Sequence, residues 1–302
     1  MKLDLRALII YLILVINFGC SSVRKKNSND SLPKPDHIII LMLENLRYET
    51  VMGSPIAPFI NEIAKESASF TNAHGITHPS QPNYIGLFSG SLQGIKGDAC
   101  IPVDSPFTTP NLGRALIDAG YNFVSYSQTI PYAGFSGCNY GESALNDLPL
   151  YVRRHCPWVN WYGAKKNGLD SSKIGLPMSE FPDDFDELPT VGFVIPDCDY
   201  DMHNRTGNME MIRRGDDWIK CNLSDYIEWA KSHNSLFILT FDEDDGSSRD
   251  NHIPTLFIGE MINPGKYEDS INLYNILRTI EHMYDLEPSG DAEAAAITSV
   301  WK

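Results

Sequence analysis

Residues 37–45, His37-Ile38-Ile39-Ile40-Leu41-Met42-Leu43-Glu44-Asn45, decide the fold. The run from Ile38 to Leu43 is apolar throughout and leaves no polar face. That argues against a half-solvated antiparallel strand and fits a strand buried on both faces of a parallel sheet. The run then stops at a carboxylate and an amide. In such sheets, function collects just beyond the carboxyl ends of the strands, so Glu44 and Asn45 sit where chemistry is expected.

Further strands follow outward from this one, alternating with helices. Residues 58–67 have helical spacing. Residues 109–119 begin with Thr109-Pro110 and stop at Gly120, which are helix start and stop signals. Strands are expected at 121–126, 190–195, 235–241 and 255–258, with helices at 216–232 and about 272–284. The pattern predicts an α/β fold: one mostly parallel central sheet flanked by helices on both faces, in a single domain over 36–302. Residues 129–188 are rich in Gly, Pro and aromatics with little periodicity, and read as a loop-rich insertion or cap over the sheet edge. Its aromatics (Tyr132, Phe135, Tyr140, Trp158, Trp161 and Tyr162) fit either ordinary cap core or a stacking platform for a nucleoside or sugar.

Of 302 residues, 42% are apolar, enough for a large core, which excludes a disordered chain, a collagen and a small disulfide-stapled scaffold. The chain carries 24 basic against 39 acidic residues, a net charge of −15, which repels a phosphate backbone and argues against a duplex nucleic acid partner. An anionic substrate would therefore need a local positive centre, for which a metal ion is the obvious candidate. No segment calls for a dedicated protein partner.

The amino terminus is a separate element. Lys2 and Arg6 precede the apolar run Ala7–Ile16, followed by Asn17-Phe18-Gly19-Cys20. Residues 1–20 read as a signal peptide, with a run too short for a permanent membrane span. Gly19-Cys20-Ser21-Ser22 resembles a bacterial lipoprotein processing site, with Asn17 standing where a branched aliphatic residue is usual. The expectation is an exported protein, periplasmic or at the cell surface, attached to the outer membrane where Cys20 is lipidated; the alternative is plain secretion. The polar, Pro-bearing residues 21–35 read as a flexible tether. Of the remaining cysteines, Cys100 and Cys138, both in Gly-rich loop sequence, are the expected disulfide pair.

Three strand ends deliver carboxylates toward one edge: Glu44-Asn45, Asp197 to Asp201 with His203, and Asp242-Glu243-Asp244-Asp245. Any one cluster reads equally well as solvated loop acids. Together they suggest an oxygen-rich site for Mg²⁺, Mn²⁺ or Ca²⁺, or for Zn²⁺ if histidine joins. Ser80, bracketed by Pro79 and Pro82 and followed by Tyr84-Ile85-Gly86-Leu87-Phe88, stands at the expected start of a buried helix. There the positive dipole end favours an anion, so Ser80 reads either as a nucleophile or as a simple N-cap.

The ordered motifs Glu44-Asn45, His78-Pro79-Ser80-Gln81-Pro82-Asn83-Tyr84 with Phe88-Ser89-Gly90, Asp201-Met202-His203, Asp242-Glu243-Asp244-Asp245-Gly246, Ile253-Pro254-Thr255-Leu256-Phe257-Ile258-Gly259 and Leu277-Arg278-Thr279-Ile280-Glu281 span about residues 37–286. In this order they resemble the phosphoesterase family of bacterial acid phosphatases and phospholipase C-type enzymes, within the alkaline phosphatase-like superfamily. The resemblance implies a metal-dependent phosphoric ester hydrolase acting on a small phosphate ester through a phosphoserine on Ser80. It assigns one divalent ion to Glu44, Asn45, Ser80, Asp242 and Glu243, with Asn45 also touching a phosphate oxygen. His203 would bond the phosphoryl group or protonate the leaving oxygen, and His252 would be a second phosphate-side histidine. His37, His155 and His233 read as ordinary loop or surface residues. Leu273 departs from a frequent histidine, Asp197 from an asparagine and Gln128 from a glutamate, which leaves the phosphate shell and substrate open. The alternatives are a phosphodiesterase or phospholipase C-like hydrolase, and a non-catalytic surface lipoprotein on the same fold. Sulfate-ester hydrolysis is disfavoured because Ser80-Gln81-Pro82-Asn83-Tyr84 lacks the arginine of the sulfatase signature.

Overall fold

A computed structural model describes residues 31–145, 149–203, 209–290 and 293–302; the predicted signal peptide, Cys20 and most of the predicted tether lie outside them. The central sheet has eight strands: β1 (His37–Leu43), β2 (Ala68–Phe70), β3 (Phe123–Ser127), β4 (Leu176–Pro177), β5 (Val191–Ile195), β6 (Ser235–Phe241), β7 (Thr255–Ile258) and β8 (Gly265–Tyr267). They lie in the order β8-β2-β7-β6-β1-β5-β3-β4. Pairing is parallel from β6 across to β4, as the apolar runs imply, while β7 is antiparallel to both β6 and β2. The short strands β2, β4 and β8 went unpredicted, because two or three residues are too few for any period to show.

The main helices are α1 (Pro58–Ile63), α2 (Ser80–Ser89), α3 (Leu112–Asp118), α4 (Met209–Ala230) and α5 (Leu273–Met283). α4 starts earlier than the predicted 216. They cover both faces, as strand alternation shows. Parallel register pairs Ile40 with Phe193, and Phe88 of α2 packs against Phe193 and Phe123 on that face. His37 and Ile39, on the opposite face, pair with Ser235 and Phe237, which meet Tyr226 of α4.

Residues 129–188 do more than cover an edge. Leu176 and Pro177 extend the sheet beside β3. Trp158 and Trp161 are fully buried and pack edge-on against Phe88, with Trp158 also meeting Phe123 and Phe193. Tyr132 and Tyr140, by contrast, are exposed. Cys100 and Cys138 form the expected disulfide, while Cys156 and Cys198 are buried free thiols and Cys221 is exposed. Among the described residues no helix is long and apolar enough to cross a membrane.

Candidate active site and metal centre

Register places the acids. Leu43 pairs with Phe241 at the ends of β1 and β6, so Glu44 and Asp242 leave the sheet side by side. The Asp242 amide donates to Leu43 O at 3.0 Å and ties the two exits together. By alternation, positions 44 and 242 continue the face that α2 covers. α2 is buried along its whole length. This matches its apolar, nearly stripe-free sequence, and Ser80 is its first residue.

The Ser80 Oγ lies 3.0 Å from Glu44 Oε2, 3.2 Å from Glu243 Oε1 and 3.5 Å from Asn45 Oδ1. Asn45 donates from its backbone N–H to Asp242 Oδ1 at 3.1 Å and from Nδ2 to Glu243 Oε1 at 3.1 Å. Its φ of 48° is left-handed, a conformation asparagine tolerates better than most residues. The turn folds the amide back over the two acids. Gly75 is needed nearby: a Cβ there would stand 2.5 Å from Asn251 Nδ2 and 2.7 Å from the Asp242 carbonyl oxygen.

The structure therefore brings Glu44, Asn45, Ser80, Asp242 and Glu243 into one buried cluster. Burial first, and then the charges of Asp242 and Asp201, push the Glu44 carboxyl well above its usual range. Burial and then Glu243 do the same to Asp242, and burial and then Glu44 push Glu243 up to about 8. Asp242 Oδ2 is buried without a hydrogen-bond partner. Converging acids that resist ionisation, an orphaned carboxylate oxygen and an all-oxygen donor set together fit a hard divalent cation.

His203 joins the cluster's margin: its backbone N–H donates to Asp201 Oδ1 at 2.9 Å. Between them, Met202 has a φ of 71°, which a bulky residue adopts only when packing compels it. Gly215 of α4 makes the room, since a Cβ there would stand 2.3 Å from Met202 Cγ. His252, the other predicted phosphate-side histidine, lies elsewhere. Its ring nitrogens are 3.0 Å from Glu49 Oε1 and 3.0 Å from Thr71 O, and the ring stacks on Tyr48. The antiparallel bridge between His252 and His74 holds it there, a pairing invisible to local sequence.

Several residues of the site carried no assignment from sequence. His155, read as an ordinary loop or surface residue, is buried, stacks on Tyr84 and places Nε2 3.1 Å from Glu44 Oε1, although not in hydrogen-bonding geometry. Burial holds its imidazole well below the usual range. Tyr84 donates its hydroxyl to Glu44 Oε1 at 2.6 Å. His78 Nδ1 is 2.7 Å from Glu243 Oε2 and its Nε2 is 3.2 Å from Asp244 Oδ1. Ligand atoms of His155, Cys198 and Asp201 lie within 4.8 Å of one another, against the same Glu44. Proximity to Ser80 could have flagged His78; nothing local marks His155. Not every buried acid belongs here: Asp216 accepts from the Phe59 and Ile60 amides and simply caps α1.

Comparisons with known proteins give the chain its family. The model of the Phosphoesterase family matches residues 54–287. A phosphatidylinositol-3-phosphatase of Mycobacterium tuberculosis is 40% identical over 274 residues, covering 90% of this chain and 84% of the relative. A probable acid phosphatase of Kluyveromyces lactis is 27% identical over 86% of this chain, which spans 62% of that relative's length. Among solved structures, an alkaline phosphatase superfamily protein from Vibrio parahaemolyticus superposes with a TM-score of 0.57 at 14% identity, over 88% of this chain and 70% of its own. That last likeness speaks for the fold alone. With the family matched over most of its length and the acids gathered around Ser80, this chain belongs to the phosphoesterase family and is a hydrolase acting on phosphoric ester bonds.

Proposed function

We propose that the chain is a metal-dependent, acid phosphatase-like phosphomonoesterase working through a phosphoserine on Ser80. The observation that carries this reading is the approach of Glu44, Glu243 and Asn45 to the Ser80 hydroxyl at 3.0, 3.2 and 3.5 Å, at the first residue of a buried helix. Glu44, Asn45, Ser80, Asp242 and Glu243 would hold one divalent ion, whose choice among Mg²⁺, Ca²⁺, Mn²⁺ and Zn²⁺ this donor set leaves open. Once bound, such an ion supplies the positive charge that lowers the serine pKa and offsets charge on the phosphoryl oxygens.

The chain's own groups do the rest. Glu44 and Glu243 accept from the Ser80 hydroxyl and aim Oγ outward from the helix end, where the dipole favours a phosphate anion. Ser80 gives its hydroxyl proton to the Glu243 carboxylate as Oγ bonds to phosphorus and the bond to the alcohol oxygen breaks; His203 gives that oxygen a proton and regains one from the water of the second step, while Glu243 returns its own to Oγ. Water then cleaves the phosphoserine, releasing inorganic phosphate and restoring the hydroxyl. The name of the 40% identical relative supports phosphomonoesters, lipid-borne ones included, as the substrate class. The basic and apolar amino terminus ending in Cys20 supports an exported enzyme with a lipid attachment.

The test uses soluble protein beginning at residue 24, assayed on p-nitrophenyl phosphate and bis-p-nitrophenyl phosphate across pH 5–9, with and without EDTA. The expected result is monoester turnover that EDTA abolishes and that Ser80→Ala lowers by about 10³-fold or more. Near-wild-type turnover in Ser80→Ala would overturn the nucleophile. Preference for the diester would move the reading to a phosphodiesterase.

A further inference from the structure

Arg153 and Arg154 are chain neighbours with opposite fates. Arg153 is buried and occupied: its Nη1 donates to Ser136 O at 2.6 Å, its Nη2 to Ile101 O, and its backbone N–H to Cys138 O at 2.9 Å. It clasps both sides of the Cys100–Cys138 disulfide. Arg154 is half-buried, with its Nε shielded from solvent and without a hydrogen-bond partner. Among the described residues, no carboxylate forms an ion pair with it. A guanidinium is seldom withdrawn from water unless something accepts its donors.

Its surroundings say what would accept them. The next residue, His155, lies 3.1 Å from Glu44, whose other carboxylate oxygen is 3.0 Å from Ser80 Oγ. Arg154 also exerts its charge on Glu44, Asp201, Cys198 and His155, which surround the site from three elements. It is thus a cation close to a strongly acidic cluster, bonded to none of it. The planar guanidinium fork matches two oxygens of a phosphate.

We infer that Arg154 is a phosphate-binding residue: its guanidinium takes two non-bridging oxygens of the ester while Ser80 attacks, and Arg153 with the Cys100–Cys138 disulfide holds it in place. The inference rests on the phosphatase reading above. It also answers a need visible in the charge balance, because a dianionic phosphoryl group entering this site meets at least four carboxyl groups.

The test compares Arg154→Gln, Arg154→Lys and Arg154→Ala with wild type and Ser80→Ala, using p-nitrophenyl phosphate and, as competitor, inorganic phosphate. Arg154→Gln is expected to lower kcat/KM about 10²-fold and raise the inhibition constant of inorganic phosphate about tenfold or more, with an unchanged unfolding midpoint. Arg154→Lys recovers part of the loss, and added guanidinium ion restores part of the Arg154→Ala activity. A merely structural arginine would produce neither rescue. Arg154→Gln within twofold of wild type in both constants, beside an inactive Ser80→Ala, overturns this assignment alone. Wild type that hydrolyses no phosphate ester overturns the functional reading and this assignment with it.

Discussion

The acids at the ends of β1 and β6 and the residues between 129 and 188 reach the same site by different routes. Glu44 and Asp242 are placed by the register of two buried parallel strands, each seven residues long and paired along its full length. A slip by one residue would draw Glu44 or Asp242 into the apolar sheet and repack both buried faces, so the position of the two acids is strongly specified. Arg154 and His155 follow a two-residue strand, Tyr151–Val152, in a short 3₁₀ turn. They are held by partners far off in sequence: Ile101, Ser136 and the Cys138 carbonyl through Arg153, and the Tyr84 ring through His155. The lesson is that one half of this site is specified by periodicity and the other half by contacts that periodicity does not encode.

The largest test of that division is at the strand ends. The double variant Glu44→Gln with Asp242→Asn is expected to keep its fold, lose its bound divalent ion and lose about 10³-fold in kcat/KM, read by metal analysis and kinetics. Retained metal and activity would break the comparison at its firmer end. Trp158→Ala probes the other region. Trp158 is fully buried and touches Phe88, Phe123 and Phe193. Its removal is expected to cost about 3–5 kcal/mol in urea unfolding, as for a core residue. A loss near zero would return 129–188 to the status of a detachable cap.

A smaller effect concerns pH. Burial pushes Asp201 up to about 7 and Glu243 up to about 8, both above their values in an unfolded chain. Stability from a raised pKa is present below the unfolded value and lost as pH rises through the folded one. The metal-free protein in EDTA should therefore lose thermal stability as pH rises from 5, most steeply below about 7, and level off above about 8. A divalent ion should raise the midpoint most at the high end. A metal-free midpoint that climbs with pH over this range would contradict the acidic cluster. The smallest expected effect is at His252, which pairs with Glu49 and Thr71 O away from the acids. His252→Ala should change kcat/KM by less than about twofold; a hundredfold fall would return it to the phosphate side.

Much of the fold was legible. The strands at 37–43, 190–195, 235–241 and 255–258 match the observed elements closely, because continuous apolar runs of this length have few ways to be buried. The antiparallel direction of β7 was not legible, since a buried strand reads the same in either direction. In the site, Glu44, Asn45, Ser80, Asp242 and Glu243 converge as the ordered motifs implied. His252 does not, because a bridge to His74 decides its place. His155 looked like a loop residue because its burial depends on Tyr84 and Glu44, respectively 71 and 111 positions earlier in the chain.

The α/β class, the buried parallel strands and the polar residues at their ends can all be read from the chain before it folds. These follow from local composition, and a strand's length and pairing carry its terminal residue with it. Folding settles which histidines reach the acids, that two tryptophans of the insertion complete the core, and that Arg153 is occupied while the Arg154 Nε is left without a partner. Burial and hydrogen-bond satisfaction are properties of neighbours brought together by folding, and two adjacent arginines differ in nothing else.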